Sequence, residues 1–372
     1  MVFTILSKDT ITKARTGILK TRFGDVETPF FMPVATKASV KYISSDDLEK
    51  IGIKAIISNS YILSLKPGEK IIQNLGGIRK FMSFNGAIFT DSGGFQMYSP
   101  KLYIKSNYEG VFFRNPFSGE KVFMTPEKSM EIQLAIGSDV AMCLDSMPSY
   151  ENSKEEIEEA VKKTTLWAKR CKEHHDKLQK NKKKKQLLFG ITQGGVYKEL
   201  RKKSTEEISK INFDGYAIGG LALGEPKEEE YEMIKIVKSL ISENKPIYLM
   251  GAGDPMELME AIALGCDIFD SRFPTKNARH GTLFTWQGKL PITNSKYKSD
   301  DSKIDSKCDC FVCKNYSRAY LHNLLWHNEG AGLRLVSYHN LFFLNELMKK
   351  TRNSIKEGKF YELLEKIRQI YR

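Results

Sequence analysis

The stretch GYAIGGLALGEPKEEEYEMIKIVKSLISENKPIYLMG, residues 215–251, decides the fold. It opens on a short apolar run (215–219) and passes through a segment whose apolar residues recur at helical spacing (227–243). It then returns to a second apolar run (246–251). Such runs are buried strands and the segment between them is an amphipathic helix, so the unit reads strand, helix, strand. The same rhythm recurs in FFMPVA (30–35), KAIISN (54–59), AIFT (87–90), DVAMCL (139–144), LLFGIT (187–192) and CDIF (266–269), which makes eight runs in all. SKEEIEEAVKKTTLWAKRCKEH (153–174) is another of the intervening helices, and Pro255 fits the first turn of a helix capped by Asp254. Eight strands alternating with helices predict a (β/α)8 TIM barrel, an α/β fold. A doubly wound sheet is the runner-up, and the absence of G-x-G-x-x-G after the first run speaks against it.

Outward from that core, residues 1–29 alternate around a Phe-Gly-Asp turn and read as an N-terminal antiparallel hairpin. Residues 30–276 are the barrel core. Residues 277–372 break the rhythm; because they hold a crowded set of cysteines, Cys308, Cys310 and Cys313, they read as a zinc-binding insertion plus closing helices. At 372 residues with 41% hydrophobic content, the chain is long enough for a large barrel. No apolar run approaches the roughly eighteen residues of a membrane span. The N-terminus lacks a basic start and apolar middle, so a cytoplasmic protein is expected. The net charge of +13, from 58 basic and 45 acidic residues, favours a polyanionic partner, nucleic acid first. Part of that excess, KLQKNKKKKQ (177–186), reads as a solvated loop between a helix and a strand.

In a barrel of this kind chemistry sits where strands end. The third strand ends at Asp91, before Ser92-Gly93-Gly94-Phe95; the fourth at Asp145; the fifth at Gln193; the sixth at Gly219-Gly220-Leu221; the seventh at Met250-Gly251; the eighth at Asp270. Singly, each aspartate reads as well as a helix cap and each glycine pair as a turn. Together they converge on one face. Two carboxylates across a small site suit displacement at an anomeric carbon, one attacking the sugar and one protonating the leaving group. A third carboxylate with an amide and bare backbone suits the edge of a purine. Phe95 and Met250 are placed to sandwich a flat base, if they are not simply core.

Cys143 and Cys266 lie in or beside apolar runs and read as core. Cys308, Cys310 and Cys313 are crowded in CDCFVC, and in a cytosolic chain that crowding points to metal. With one histidine they make a closed, structural Zn2+ site. His339, after twenty-five intervening residues and just before a helix expected from Asn340, is one candidate for the fourth ligand. His322 and His327 also follow the cluster.

TDSGGFQ (90–96), GDVETP (24–29), FGITQGG (189–195), FDGYAIGGLALGE (213–225), YLMGAG (248–253), FDSRFPTKNARHG (269–281), WAKR (167–170) and CDCFVC (308–313) resemble, in order, the motifs of the tRNA-guanine transglycosylase family. The match covers nearly the whole chain. The resemblance implies a zinc-containing barrel enzyme that exchanges the wobble guanine of certain tRNAs for a 7-substituted 7-deazaguanine, towards queuosine. It implies Asp270 as nucleophile and Asp91 as general acid and base. Asp145, Gln193 and the Gly220 backbone would read the base, with Phe95 and Met250 stacking on it. Leu221 would offer a carbonyl to the 7-substituent, with Glu225 behind it. Lys276 and Arg279 would contact the anticodon flank of the tRNA, and His339 would complete the zinc site. A homodimer follows from the resemblance only.

Some positions depart from the usual bacterial pattern. Ser146-Met147 follows Asp145, and Met147 with Leu223 would narrow the pocket in favour of a small aminomethyl base over bulky queuine. Yet 109–121 and 277–281 look closer to members that use queuine. Lys276 stands where arginine is usual and cannot make a bidentate contact. Asp254 stands where a basic residue is common. Two other readings are a retaining nucleoside or glycoside hydrolase and a non-catalytic tRNA-binding partner subunit. Such subunits tend to lose the catalytic aspartates, and Asp91 and Asp270 are both present.

Overall fold

The computed structural model describes residues 1–97, 99 and 101–371. The eight apolar runs form one closed barrel: Phe30–Ala35, Ala55–Asn59, Ala87–Asp91, Val140–Met142, Leu187–Thr192, Gly215–Ile218, Ile247–Leu249 and Ile268–Ser271. Neighbours pair in parallel, and the eighth strand returns to the first with Ile268 opposite Phe30 and Ser271 opposite Pro33. The TIM barrel expected from the sequence is therefore the fold observed.

The barrel interior is a packed floor beneath the site. Phe89 meets Phe30, Phe189 and Tyr248 with ring centroids 6.1, 6.0 and 6.4 Å apart, each edge to face. Side chains two residues apart on a strand share a face. Phe89 is thus followed on its own side by Asp91, Tyr248 by Met250, and Phe189 by Ile191 and Gln193. Period two carries each strand from this apolar floor to a polar mouth.

The opposite end is sealed by a repeated device. Asp139, Asp214 and Asp267 each stand just before an even-numbered strand. Their carboxylates accept the N–H of Ile88, Leu188 and Ile247 on the preceding strand, at 2.8, 2.9 and 2.8 Å. Asp267 is also gripped by Arg15 through Nε and Nη2, at 2.8 and 2.7 Å, and Asp139 by Arg22 and Arg79. Backbone donors that would lack partners at the barrel rim are satisfied this way.

Three antiparallel strands, Phe3–Lys8, Arg15–Lys20 and Asp25–Thr28, form the N-terminal sheet. The last two are the expected hairpin, and the first adds a strand to it. A second three-stranded sheet, Tyr103–Asn107, Gly110–Arg114 and Lys121–Met124, is inserted after the third barrel strand. The helix expected at 153–174 runs Lys154–Leu178 behind a Ser153–Glu156 capping box. Asp254 caps Pro255–Ala263. The lysines of 177–186 are exposed, while Gln179 and Gln186 in the same run are buried around His175. After the eighth strand come the short helix Phe273–Arg279, a hairpin (Thr282–Thr285 and Gly288–Pro291) and the cysteine cluster. The helix Gly330–Lys356 then packs on the first barrel strand and on Ser45–Ile51. It is the eighth outer helix of the barrel, delayed by the insertion. Among the described residues no helix is long and apolar enough to cross a membrane.

Candidate active site

A cavity of about 390 Å³ opens at the C-terminal ends of the strands. Asp91, Asp145 and Asp270 all line it, with Gly220, Leu221, Met250 and Lys276. Met147, Leu223 and Arg272 also face it.

Each carboxylate is held differently. Asp91 accepts from Asn59 Nδ2 at 3.2 Å and from the Gly93 N–H at 3.1 Å. Its backbone carbonyl is fixed by Ser60 Oγ at 2.6 Å. Asp145 accepts from Gln193 Nε2 at 2.7 Å and more weakly from Ser92 Oγ at 3.5 Å. Asp270 accepts from the buried Tyr248 hydroxyl at 2.5 Å and from the Gly251 N–H at 3.1 Å, both on Oδ1. Its Oδ2 has no donor among the described residues. One oxygen is anchored and the other is open.

Burial sets their protonation. It pushes the Asp91 carboxyl up, with the negative charge of Asp270 adding to the effect, to about 8. Asp145 rises to about 6, chiefly through burial, with the Gln193 amide opposing. Burial also raises Asp270, against the Tyr248 hydroxyl, the Gly251 N–H and the charge of Arg272. At neutral pH the site therefore offers a protonated Asp91 beside a more readily ionised Asp145. Neighbouring carboxyls driven apart in this way can act as acid and as acceptor within one pocket.

Gln193 does not line the cavity. It lies fully buried behind Asp145, and its Oε1 has no partner among the described residues. Gly220 explains the closeness of the two strand-end loops. It has φ of +67°, and a Cβ there would sit 2.4 Å from Gln193 Oε1. Gly94 likewise leaves space for Asp145, whose Oδ1 would be 2.8 Å from an added Cβ. Glu225 is buried outside the cavity. It accepts the Ala222 N–H at 2.5 Å and the Leu223 N–H at 2.9 Å. With Ala222 N–H turned to Glu225, the trans peptide turns the Leu221 carbonyl away from it. Arg279 stands off the cavity, its guanidinium 5.9 Å from the Tyr42 ring. The side chain of Phe95 lies outside the described residues.

Sequence reasoning missed three supports. Tyr248 shares its strand face with Met250, so period two held the signal. Asn59 ends the second strand and was readable as another polar strand end. Arg201 carried no local signal, because it looks like any charge on an amphipathic helix. Instead it is fully buried, donating Nη1 to the Thr192 and Gly219 carbonyls at 3.0 Å each and Nη2 to Gly195 at 2.8 Å. It ties the loops after the fifth and sixth strands on either side of Gln193.

Cys308, Cys310, Cys313 and His339 form a second, closed cluster, all buried, with ligand atoms within 4.8 Å of one another. The thiols lie 3.9, 3.5 and 3.4 Å from His339 Nδ1. A tetrahedral ion at ordinary zinc bond lengths needs an S···N edge of roughly 3.6 Å. His339 Nε2 faces the Phe284 carbonyl at 2.8 Å. That contact makes Nε2 the protonated nitrogen and frees Nδ1 for an ion. Contrary to the sequence expectation, His339 does not precede a helix. It sits inside Gly330–Lys356, on the buried face. His322 is instead bonded to the Ile292 carbonyl, and His327 is exposed.

A family model described as queuine tRNA-ribosyltransferase matches residues 9–372. A queuine tRNA-ribosyltransferase from Fusobacterium nucleatum is 48% identical over 361 residues, covering 96% of this chain and 95% of the relative. Relatives of the same name from Halothermothrix orenii and Thermodesulfovibrio yellowstonii are 45% and 47% identical. They cover 99% and 97% of this chain and 97% and 93% of their own lengths.

Proposed function

The chain belongs to the queuine tRNA-ribosyltransferase family, and from that premise we propose how its cavity exchanges a base in tRNA. The observation that carries the reading is the convergence of Asp91, Asp145 and Asp270 from three strand ends on one cavity.

Asp270 attacks C1′ of the target ribose through its open oxygen. The C1′–N bond breaks, its electron pair leaves with guanine, and Asp91 delivers a proton to that base. The ribose is then held as an ester of Asp270. An incoming 7-substituted 7-deazaguanine gives a proton back to Asp91, attacks C1′ and frees Asp270. Asp145, Gln193 and the Gly220 backbone read the base, Phe95 and Met250 stack on it, and the Leu221 carbonyl meets its 7-substituent while Glu225 holds the loop. Met147 and Leu223 on the wall favour a small aminomethyl substituent over queuine. Lys276 and Arg279 engage the anticodon flank of tRNAs with a GUN anticodon. Cys308, Cys310, Cys313 and His339 hold a structural Zn2+ that takes no part in the chemistry, since four protein ligands leave no open position. A homodimer and a cytoplasmic location complete the reading; the homodimer rests on resemblance alone.

The test is incorporation of labelled guanine, then of labelled deazaguanine, into tRNA with a wobble guanine. Release of free base without incorporation would make the protein a hydrolase. Binding without either would make it a non-catalytic partner subunit.

The carboxyl environments add a pH prediction. Exchange should fall above about pH 8, as Asp91 loses the proton it must donate, and below about pH 6, as Asp145 ceases to accept. Both midpoints belong to the coupled set of carboxyls. Unfolded, Asp91 titrates near about 3.9. Between there and about 8 the folded chain keeps a proton that the unfolded chain has released, so stability falls as pH rises across that window. Asp91→Asn should therefore lose exchange yet melt higher than the parent at about pH 8. An exchange rate flat across both midpoints, or a lower melting temperature for the variant, would refute the assignment.

A further inference from the structure

We propose that Arg272 binds the phosphate adjoining the target nucleotide, so that the nucleophile's own strand supplies the cation that brings the RNA onto it. The inference rests on the reading of the cavity as a base-exchange site in RNA.

That cavity presents a polyanion with a difficulty. Three carboxyl groups converge on it, Asp270 ionised when it attacks, and a ribose entering between them brings a phosphate on either side. In a partly dry site like charges repel strongly. A cation must stand at the mouth, close to the nucleophile and not consumed by an internal ion pair.

Arg272 meets each condition. It lies two residues beyond Asp270, just past the strand end at the N-cap of Phe273–Arg279, and it lines the same cavity. It is exposed, so its head is available. Its guanidinium has no hydrogen bond or ion pair with any described residue. As the N-cap of Phe273–Arg279 it stands between the nucleophile's strand and the basic helix that follows. Among the described residues Lys276 and Arg279, one and two turns further along Phe273–Arg279, also lack ion pairs, and Arg279 Nη1 is buried without a partner. Together they form a cationic track leading to Asp270, with Arg272 at its inner end. A planar guanidinium can hold a phosphate through two N–H groups at once, which suits the position needing the firmest register.

The test is a double-mutant cycle on a stem-loop RNA bearing the target guanine. One phosphate, on the 5′ or the 3′ side of that guanine, is replaced by an uncharged methylphosphonate, and binding is read by anisotropy. For the parent protein, neutralising the contacted phosphate should weaken binding about tenfold, the size of one charge-assisted contact. Arg272→Gln should lose about the same on unmodified RNA and nothing further on the modified one. It should also flatten the dependence of log affinity on log salt by about 0.7, one phosphate on a single strand. Arg272→Lys should recover part of the loss. Lys276→Gln should remain additive with the same methylphosphonate. If every methylphosphonate that weakens the parent weakens Arg272→Gln equally, or if neither affects the parent, the proposal is wrong. Incorporation of labelled base by the parent into the unmodified stem-loop is read separately, so a failure of base exchange itself is distinguishable.

Discussion

Asp270→Asn is expected to lose base exchange by at least about ten-thousand-fold, the scale seen when a covalent nucleophile is removed. The substitution isolates the chemistry. Asparagine keeps the shape of aspartate, and its carbonyl oxygen can still accept from the Tyr248 hydroxyl and the Gly251 N–H that hold Oδ1. What disappears is the charge and lone-pair reactivity of Oδ2, the oxygen left without a donor. A second readout separates this from a binding defect. Incubated with RNA and no incoming base, the parent should accumulate a protein–RNA adduct that survives denaturing electrophoresis, and the variant should not. The fold should not suffer. Burial raises the Asp270 carboxyl, so ionising it at neutral pH costs stability that the neutral amide does not. Full exchange by Asp270→Asn, or an adduct that persists in it, would remove Asp270 from the role.

The parts of this site visible in the sequence were those that repeat a strand rule. Asp91, Asp145 and Asp270 each follow a buried run. Once eight runs close into a barrel, their C-terminal ends must share a face. The supports were invisible for physical reasons. Arg201 belongs to a helix whose pattern predicts a solvated charge, and only the packed loops reveal three carbonyls waiting for it. Gly94 lines the cavity and also stands against Asp145, a contact between residues about fifty positions apart that no local pattern reveals. The sheet of Tyr103–Met124 escaped because its first strand is exposed on nearly every residue and shows no alternation. Its best-defined contact, Phe112 stacked on Phe123 at 4.1 Å, lies across strands. His339 was misplaced relative to its helix for a related reason. The cysteine spacing names three ligands, but the fourth comes from whichever residue of a distant helix faces them.

Removing the metal should have the other large effect, and on stability before activity. The ion would cross-link three pieces of chain, two of which, Phe311–Asn315 and Gly330–Lys356, already pack on each other. Cys308 ends the loop before the cluster, Cys310 and Cys313 belong to the cap and body of Phe311–Asn315, and His339 projects from Gly330–Lys356. Through the Phe284 carbonyl, His339 also holds the hairpin Thr282–Pro291. Structural zinc contributes on the order of 10–16 kcal/mol to the folding of small sites. Here a large apolar core shares that burden, so chelation or Cys310→Ser should lower the melting temperature by about 10 °C or more rather than unfold the chain. The loss should reach the active site through contact. Phe273–Arg279, which carries Lys276, packs directly on Gly330–Lys356. RNA affinity should therefore fall with the metal, while the carboxylates at the third and fourth strand ends, far from that helix in the barrel order, keep their place. Elemental analysis of the purified chain should find one zinc per chain, and readdition should restore the melting temperature. A metal-free chain that melts at the same temperature as the zinc-loaded one would overturn the structural role, and stoichiometric iron or copper in place of zinc would overturn the metal's identity.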